Sequence, residues 1–237
     1  MALNEKPIIS NQHGAFVMAF IPYFYGISAS HWVNAHYWLG LSWLFLYLFS
    51  YPFFSLFYKK KKEKYQKWAI IYAIFAGLTI FPLLIMQPAI LQFFIWILPL
   101  VGIQIYYAKK RDERNLLNTI SAIISFGIIG MASFYLATEQ YNFAILFHPS
   151  LFFIATTLYI KSVARERKNP RYLTVSIAFH WGIFFLYLTQ GALLIALAYF
   201  FASLRATIIP TRKLTIKQIG LLEFPIIALF FFCLIFS

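Results

Sequence analysis

Two stretches of this chain join a Glu-Arg pair to an Asn at the end of an apolar run: Tyr107, Lys109, Arg111, Glu113, Arg114, Asn115, and then Tyr159, Lys161, Arg165, Glu166, Arg167, Asn169. An Arg fork suits phosphate or carboxylate, and a neighbouring Glu can hold that fork in place or coordinate a cation. A loop that only sets membrane orientation needs Lys or Arg and has no use for Glu, of which this chain is sparing, with seven acidic residues in all. Glu63-Lys64 is a fainter echo. Glu63, Glu113 and Glu166 follow one another at intervals of 50 and 53 positions, the length of a helical hairpin, as repeated two-helix units would produce. Ordinary ion pairing within each loop is the alternative. Arg114 and Asn118 are four apart and are expected to share a helix face.

A second constellation, Asn11, Gln12, His13 and Gly14, opens the first apolar run. His13 there can act as a general base or meet a phosphate oxygen, and Gly14 permits close backbone approach. A helix cap with a solvated His reads the same residues more simply. His180 falls in the middle of an apolar run, where an ionisable side chain faces other helices or a cavity. Glu223 lies one turn into the last run and is placed to reach a cytoplasm-facing pocket, or to pair with Arg205 or Arg212. His31 and His36 read as outer-loop residues, and His148-Pro149 as a kink. The five histidines are too scattered in depth and side to propose a haem axial pair.

The elements that must position these residues are membrane spans. The chain of 237 residues is 62% hydrophobic and 11% charged, with 28 Phe, a composition that would leave a soluble domain with large apolar surfaces facing water. About 20 apolar residues cross a bilayer core, and nine such runs are present: 14–30, 37–57, 68–86, 89–107, 116–137, 143–162, 172–188, 191–209 and 219–236. Residues 172–209 are nearly continuous, so a break near Gln190 and Gly191 predicts either two short spans or a re-entrant pair. All 20 Lys and Arg lie before the first run or in, or at the edge of, every second loop. The positive-inside rule therefore predicts a cytoplasmic N-terminus and Ser237 outside.

These spans are too long and too uniformly apolar for barrel strands, so the fold class is an all-α polytopic membrane protein, read as a single membrane domain over 1–237 with no cleavable signal peptide. Prolines 22, 82, 99, 149 and 225 should bend their helices. The net charge of +13 is confined to short turns, which argues for topogenic and lipid-contacting charge and against nucleic acid. A single cysteine, Cys233, excludes an internal disulfide and a multi-cysteine metal cluster.

Asn11-Gln12-His13-Gly14-Ala15 with Pro22, Arg111-Asp112-Glu113-Arg114-Asn115, and Leu158-Tyr159-Ile160-Lys161 followed by Arg165-Glu166-Arg167 resemble the YwiC-like family of bacterial integral membrane proteins over nearly the whole chain. The resemblance implies a multi-pass protein of the bacterial cell membrane and no particular reaction. Nine helices with polar motifs in alternate cytoplasmic loops also resemble the UbiA superfamily of intramembrane prenyltransferases. There, Asp-rich loops after helices two and six hold magnesium ions on a prenyl diphosphate. The corresponding loops here offer Glu63 and Glu166, and Asp112, the one Asp in the chain, lies elsewhere. That set falls short of two-metal diphosphate activation.

The leading expectation is a UbiA-like enzyme, or a protein derived from one, that holds a prenyl or lipid phosphate with its head at the Glu-Arg loops and its tail among Phe-rich helices. His13, Glu113 and Glu166 are its candidate catalytic residues. Asn11, Gln12, Arg111, Arg114, Asn115, Asn118, Lys161, Arg165, Arg167, Asn169, His180 and Glu223 are the candidate ligand-binding residues. The alternatives are a small transporter using His180 and Glu223, and a noncatalytic membrane assembly subunit. Membrane lipids are the expected partners, and no cofactor or metal is identified.

Overall fold

The computed structural model describes residues 6–10, 13–60, 62–212 and 214–237, with the side chain of His13 undescribed. These residues form nine α-helices: α1 (His13–Ser28), α2 (Asn34–Ser55), α3 (Lys62–Met86), α4 (Leu91–Lys109), α5 (Leu116–Thr138), α6 (Phe143–Ile160), α7 (Pro170–Thr189), α8 (Leu193–Ile208) and α9 (Ile216–Ile235). A 3-10 turn, Pro88–Ile90, leads into α4, and a π-helical turn, Lys161–Arg165, extends α6. The all-α expectation holds, and each predicted apolar run is a helix.

Seven of these helical segments are long and apolar enough to cross a bilayer. Helix α1 has 16 residues, about 24 Å at 1.5 Å per residue, short of the roughly 30 Å hydrocarbon core. Helix α2 has the length, at 22 residues, but is rich in Tyr, Trp and Ser. Leu78, Phe81 and Ile85 of α3 and Ile95 and Leu98 of α4 are exposed. Contiguous apolar faces of this kind need lipid as their solvent. The chain is a multi-pass membrane protein.

The stretch 172–209 resolves into two helices. Gly191, at φ +75°, supplies the left-handed residue that a tight break requires, and the Ala192 N–H closes it on the Tyr187 carbonyl at 3.0 Å. Pro52 joins Pro22, Pro82, Pro99, Pro149 and Pro225 inside helices.

The chain divides into two compact units, Met1–Leu146 and Phe147–Ser237. In the first, α2 packs along α3, while α1 and α4 pack on α5. Ala19, Leu39, Leu83, Phe93, Ile129 and Met131 form the dry centre. Hydrogen bonds tie three of these helices at depth: Trp43 Nε1 donates to the Ala19 carbonyl (2.8 Å), Tyr23 Oη to the His36 carbonyl (2.7 Å), and Ser133 Oγ to the Tyr23 carbonyl (3.0 Å).

His36 departs from the outer-loop reading: it is fully buried. The Val33 N–H donates to its Nδ1 at 3.0 Å, so the ring proton sits on Nε2, which donates to the Ser133 carbonyl at 2.7 Å. It sits in the first turn of α2 and fastens that helix to α5.

In the second unit α8 packs between α7 and α9. Phe152 of α6 stacks on Phe230 of α9 with ring centroids 3.8 Å apart, and Tyr199 of α8 meets both rings edge-on.

Candidate functional sites

In the first unit, α1, α2, α4 and α5 surround a cavity of about 410 Å³. That volume falls within the range of small-molecule sites. Its walls are aromatic and aliphatic, from residues such as Trp43, Phe53, Phe94 and Phe126, while Gln104, Glu113 and Asn118 line it as well. A more open groove of about 530 Å³ between α4 and α5 is lined almost wholly by apolar side chains and reads as a contact for lipid chains.

Glu113 and Asn118 are positioned by the loop between α4 and α5. Asn115 is the N-cap of α5: its Oδ1 accepts from the Leu117 N–H (3.0 Å) and its Nδ2 donates to Asp112 Oδ2 (2.8 Å). Because the helix begins after Asn115, Arg114 lies outside it. This corrects the expectation that Arg114 and Asn118 share a helix face. Asn118 Nδ2 instead donates to the Glu113 carbonyl at 2.7 Å, and its Oδ1 is buried without a hydrogen-bond partner. Arg111, Glu113 and Arg114 are exposed, and Arg111 takes the left-handed conformation (φ 57°) that turns the loop. Burial first, and then the neighbouring Glu113 carboxylate, push the Tyr58 phenol up.

The matching loop of the second unit begins with the π-helical turn. Its wider ring turns Lys161, Ser162 and Val163 inward, all buried, and the Glu166 N–H closes it on the Lys161 carbonyl at 2.7 Å. Such turns are rare in helices and recur at functional sites. Lys161 Nζ lies 5.5 Å from the centroid of the Tyr172 ring. Arg165 and Arg167 are exposed and Glu166 is half-buried, while Arg167 Nη2 donates to the Leu214 carbonyl at 3.1 Å. Asn169 caps α7, with Oδ1 accepting from the Arg171 N–H at 3.2 Å. The Asn of each repeat is thus a helix cap.

His180 and Glu223 come together deeper in the second unit, through Arg205. One guanidinium nitrogen, Nη1, donates to Glu223 Oε2 at 2.5 Å, and Nη2 lies 3.2 Å from His180 Nε2. Arginine nitrogens only donate, so His180 Nε2 accepts, and Nδ1 carries the proton to the Ser176 carbonyl at 2.7 Å. His180 is therefore neutral here. The Tyr159 ring covers the guanidinium, its centroid 4.3 Å from Cζ. Sequence reasoning named Arg205 only as a salt-bridge partner and missed Tyr159 as its cover.

The expected site residues fall into separate groups. Glu113 and Asn118 share the first unit's cavity, with Arg111 and Arg114 on its loop. Lys161, Arg165, Glu166, Arg167 and Asn169 belong to the second unit's loop, and His180 and Glu223 to its interior. Asn11, Gln12 and the side chain of His13 lie outside the described residues. Among the described residues, no three His, Cys, Asp or Glu side chains converge as a metal site would need.

The model of the YwiC-like protein family matches residues 9–134. The chain belongs to the YwiC-like family. It is 44% identical over 233 residues to an uncharacterized protein of Haemophilus influenzae, covering 97% of this chain and 98% of that one. It is 36% identical over 225 residues to the uncharacterized protein YwiC of Bacillus subtilis, covering 92% of each. No solved structure matches the chain. The likeness of its helix order to the UbiA superfamily therefore gains no support from a known fold.

Proposed function

We propose that this protein binds an amphipathic lipid-type molecule within the membrane, with the apolar tail in the cavity of the first unit and the polar head at the loop around Arg111–Asn118. The carrying observation is that cavity, whose aromatic walls also hold Glu113 and the unpartnered Asn118 Oδ1. All the residues that line the cavity lie in the stretch that the family model matches. Asn118 Oδ1 calls for a hydrogen-bond donor, the Glu113 carboxylate beside it accepts, and Arg111 and Arg114 on the same loop supply positive charge suited to an anion. A prenyl or lipid phosphate monoanion carries both, as P–OH and P–O⁻. By the positive-inside rule the loop is cytoplasmic, in a bacterial cell membrane. The transporter alternative has an observation of its own, the buried Arg205–Glu223 pair.

The test is native mass spectrometry of the purified protein with its copurifying lipids. Wild type should retain a discrete lipid phosphate. Ala122→Phe, which fills the cavity from α5, should lose it, and the Arg111→Ala, Arg114→Ala double variant should hold it at least tenfold more weakly, about 1.4 kcal/mol. The same mixed phospholipid on all three proteins would reject the reading.

A further inference from the structure

The Arg205 cluster is incompletely satisfied. Arg205, Tyr159 and Glu223 are 6%, 0% and 8% exposed, yet Arg205 Nε, Tyr159 Oη and Glu223 Oε1 have no hydrogen-bond partner. A buried ion pair that serves only to hold helices together needs its remaining donors and lone pairs satisfied, and Arg with carboxylate favours a two-oxygen contact. Glu223 instead meets the guanidinium through a single oxygen, and two N–H and O–H donors are left facing no acceptor. Most of the other buried side-chain polar atoms without a partner, including Ser176 Oγ and Thr156 Oγ1, are also in this unit.

The charges point to what belongs there. Arg205 and Glu223 cancel, and His180 is held neutral by accepting from Arg205. Glu223 lies seven residues into α9, roughly 10 Å from its start at 1.5 Å per residue. Arg205 is in the last turn of α8. The cluster therefore sits near the end of the unit whose loops and helix ends carry Lys161, Arg165, Arg167 and Arg212. Charge of one sign at that end raises the local concentration of the opposite ion. Lys161 is buried, which an orientation signal does not require.

We propose that the second unit carries a separate intramembrane site for a small carboxylate or phosphate-type anion, centred on Arg205, with Glu223 as the resident counter-ion that the ligand displaces. Glu223 takes up one proton from hydronium in the bulk solution, which leaves as water, and becomes a neutral carboxylic acid as it departs from Arg205, and the anion takes its place on the guanidinium and the Tyr159 hydroxyl. No other bond is made or broken. The groups facing Glu223 and its partner are Arg205 on α8, Tyr159 on α6 and, through Arg205, His180 on α7. Anion binding and protonation are thereby linked, and each favours the other.

The test is thermal stabilisation of the full chain in neutral detergent, titrated with acetate or inorganic phosphate against a chloride baseline at pH 5.5 and 7.5. A parallel arm uses nanodiscs with or without anionic phosphatidylglycerol. Wild type should bind acetate or phosphate more tightly at the lower pH, by about tenfold per pH unit for one proton taken up. Glu223→Gln should bind acetate at both pH values without that dependence. Tyr159→Phe keeps the ring over Arg205 and should bind severalfold more weakly. Stabilisation by phosphatidylglycerol alone, weakened in Tyr159→Phe, would support the site with a lipid headgroup as the source. Wild type unmoved by all these anions, or a pH dependence of acetate binding that persists in Glu223→Gln, would overturn the proposal.

Discussion

Arg205→Ala and Glu223→Ala are each expected to destabilise the protein by about 3–5 kcal/mol, because either change leaves the other charge buried without its partner. Unfolding in mixed micelles, followed by loss of helix signal, measures the difference. The Arg205→Met, Glu223→Leu double variant removes both charges and keeps the volume apolar. It should recover to within about 2 kcal/mol of wild type, the residue being the His180 Nε2 acceptor that loses its donor. Small losses in both single variants would mean that the two charges are solvated and not desolvated by the helices around them.

That double variant also separates architecture from ligand. If the pair only joins α8 to α9, an apolar replacement that folds should behave as wild type in every assay. If Arg205 is an anion site, the same well-folded protein should show no response to acetate or phosphate at either pH. Stability and binding are thus expected to part company in one molecule.

Much of the helical order was readable because the bilayer imposes a length. Apolar runs of about 20 residues marked the helices, and alternating basic loops forced an even number of crossings between 172 and 209, where composition alone was ambiguous. Helix α3 starts at Lys62, six residues before its predicted run, because hydropathy stops at the edge of lipid while Lys, Glu and Gln still favour helix. Asn115 and Asn169 were seen as parts of a binding motif, yet their position immediately before apolar helices is that of caps.

The site was less legible. The cavity collects residues from Ser10 to Phe126, and no local pattern announces such an assembly. Arg205 resembles a topogenic charge at the end of a span, and only packing shows that its head turns inward to a carboxylate 18 positions later. The π-helical turn is a one-residue change of register without a compositional signature. His36 sits beside a polar loop, and its role depends on a carbonyl 97 positions away.

Gly130→Val is expected to destabilise the first unit by about 3 kcal/mol or more, at the upper end of what overpacking costs. A Cβ at Gly130 would lie 2.6 Å from the Pro22 carbonyl oxygen and 2.8 Å from its carbonyl carbon. A Cβ at Gly26, from the other side, would meet the Gly130 carbonyl oxygen and, at 2.9 Å, the Phe134 nitrogen. These neighbours are backbone and cannot rotate aside, so α1 and α5 would have to separate. Separation would stretch the Ser133 to Tyr23 bond, a loss of about 1 kcal/mol on top of the steric term. Small residues let membrane helices approach closely, and here they set the distance between two walls of the cavity. Gly77→Ala and Gly102→Ala are the controls: nothing lies within 4 Å of either added Cβ, and both positions are helical. Those two changes should leave thermal stability unchanged or raise it by about 0.5–1 kcal/mol. Equal losses at all four glycines would mean that helix flexibility matters and not the contact. A loss confined to Gly26 and Gly130, accompanied by loss of the bound lipid in native mass spectra, would show that the close approach of α1 and α5 builds the cavity.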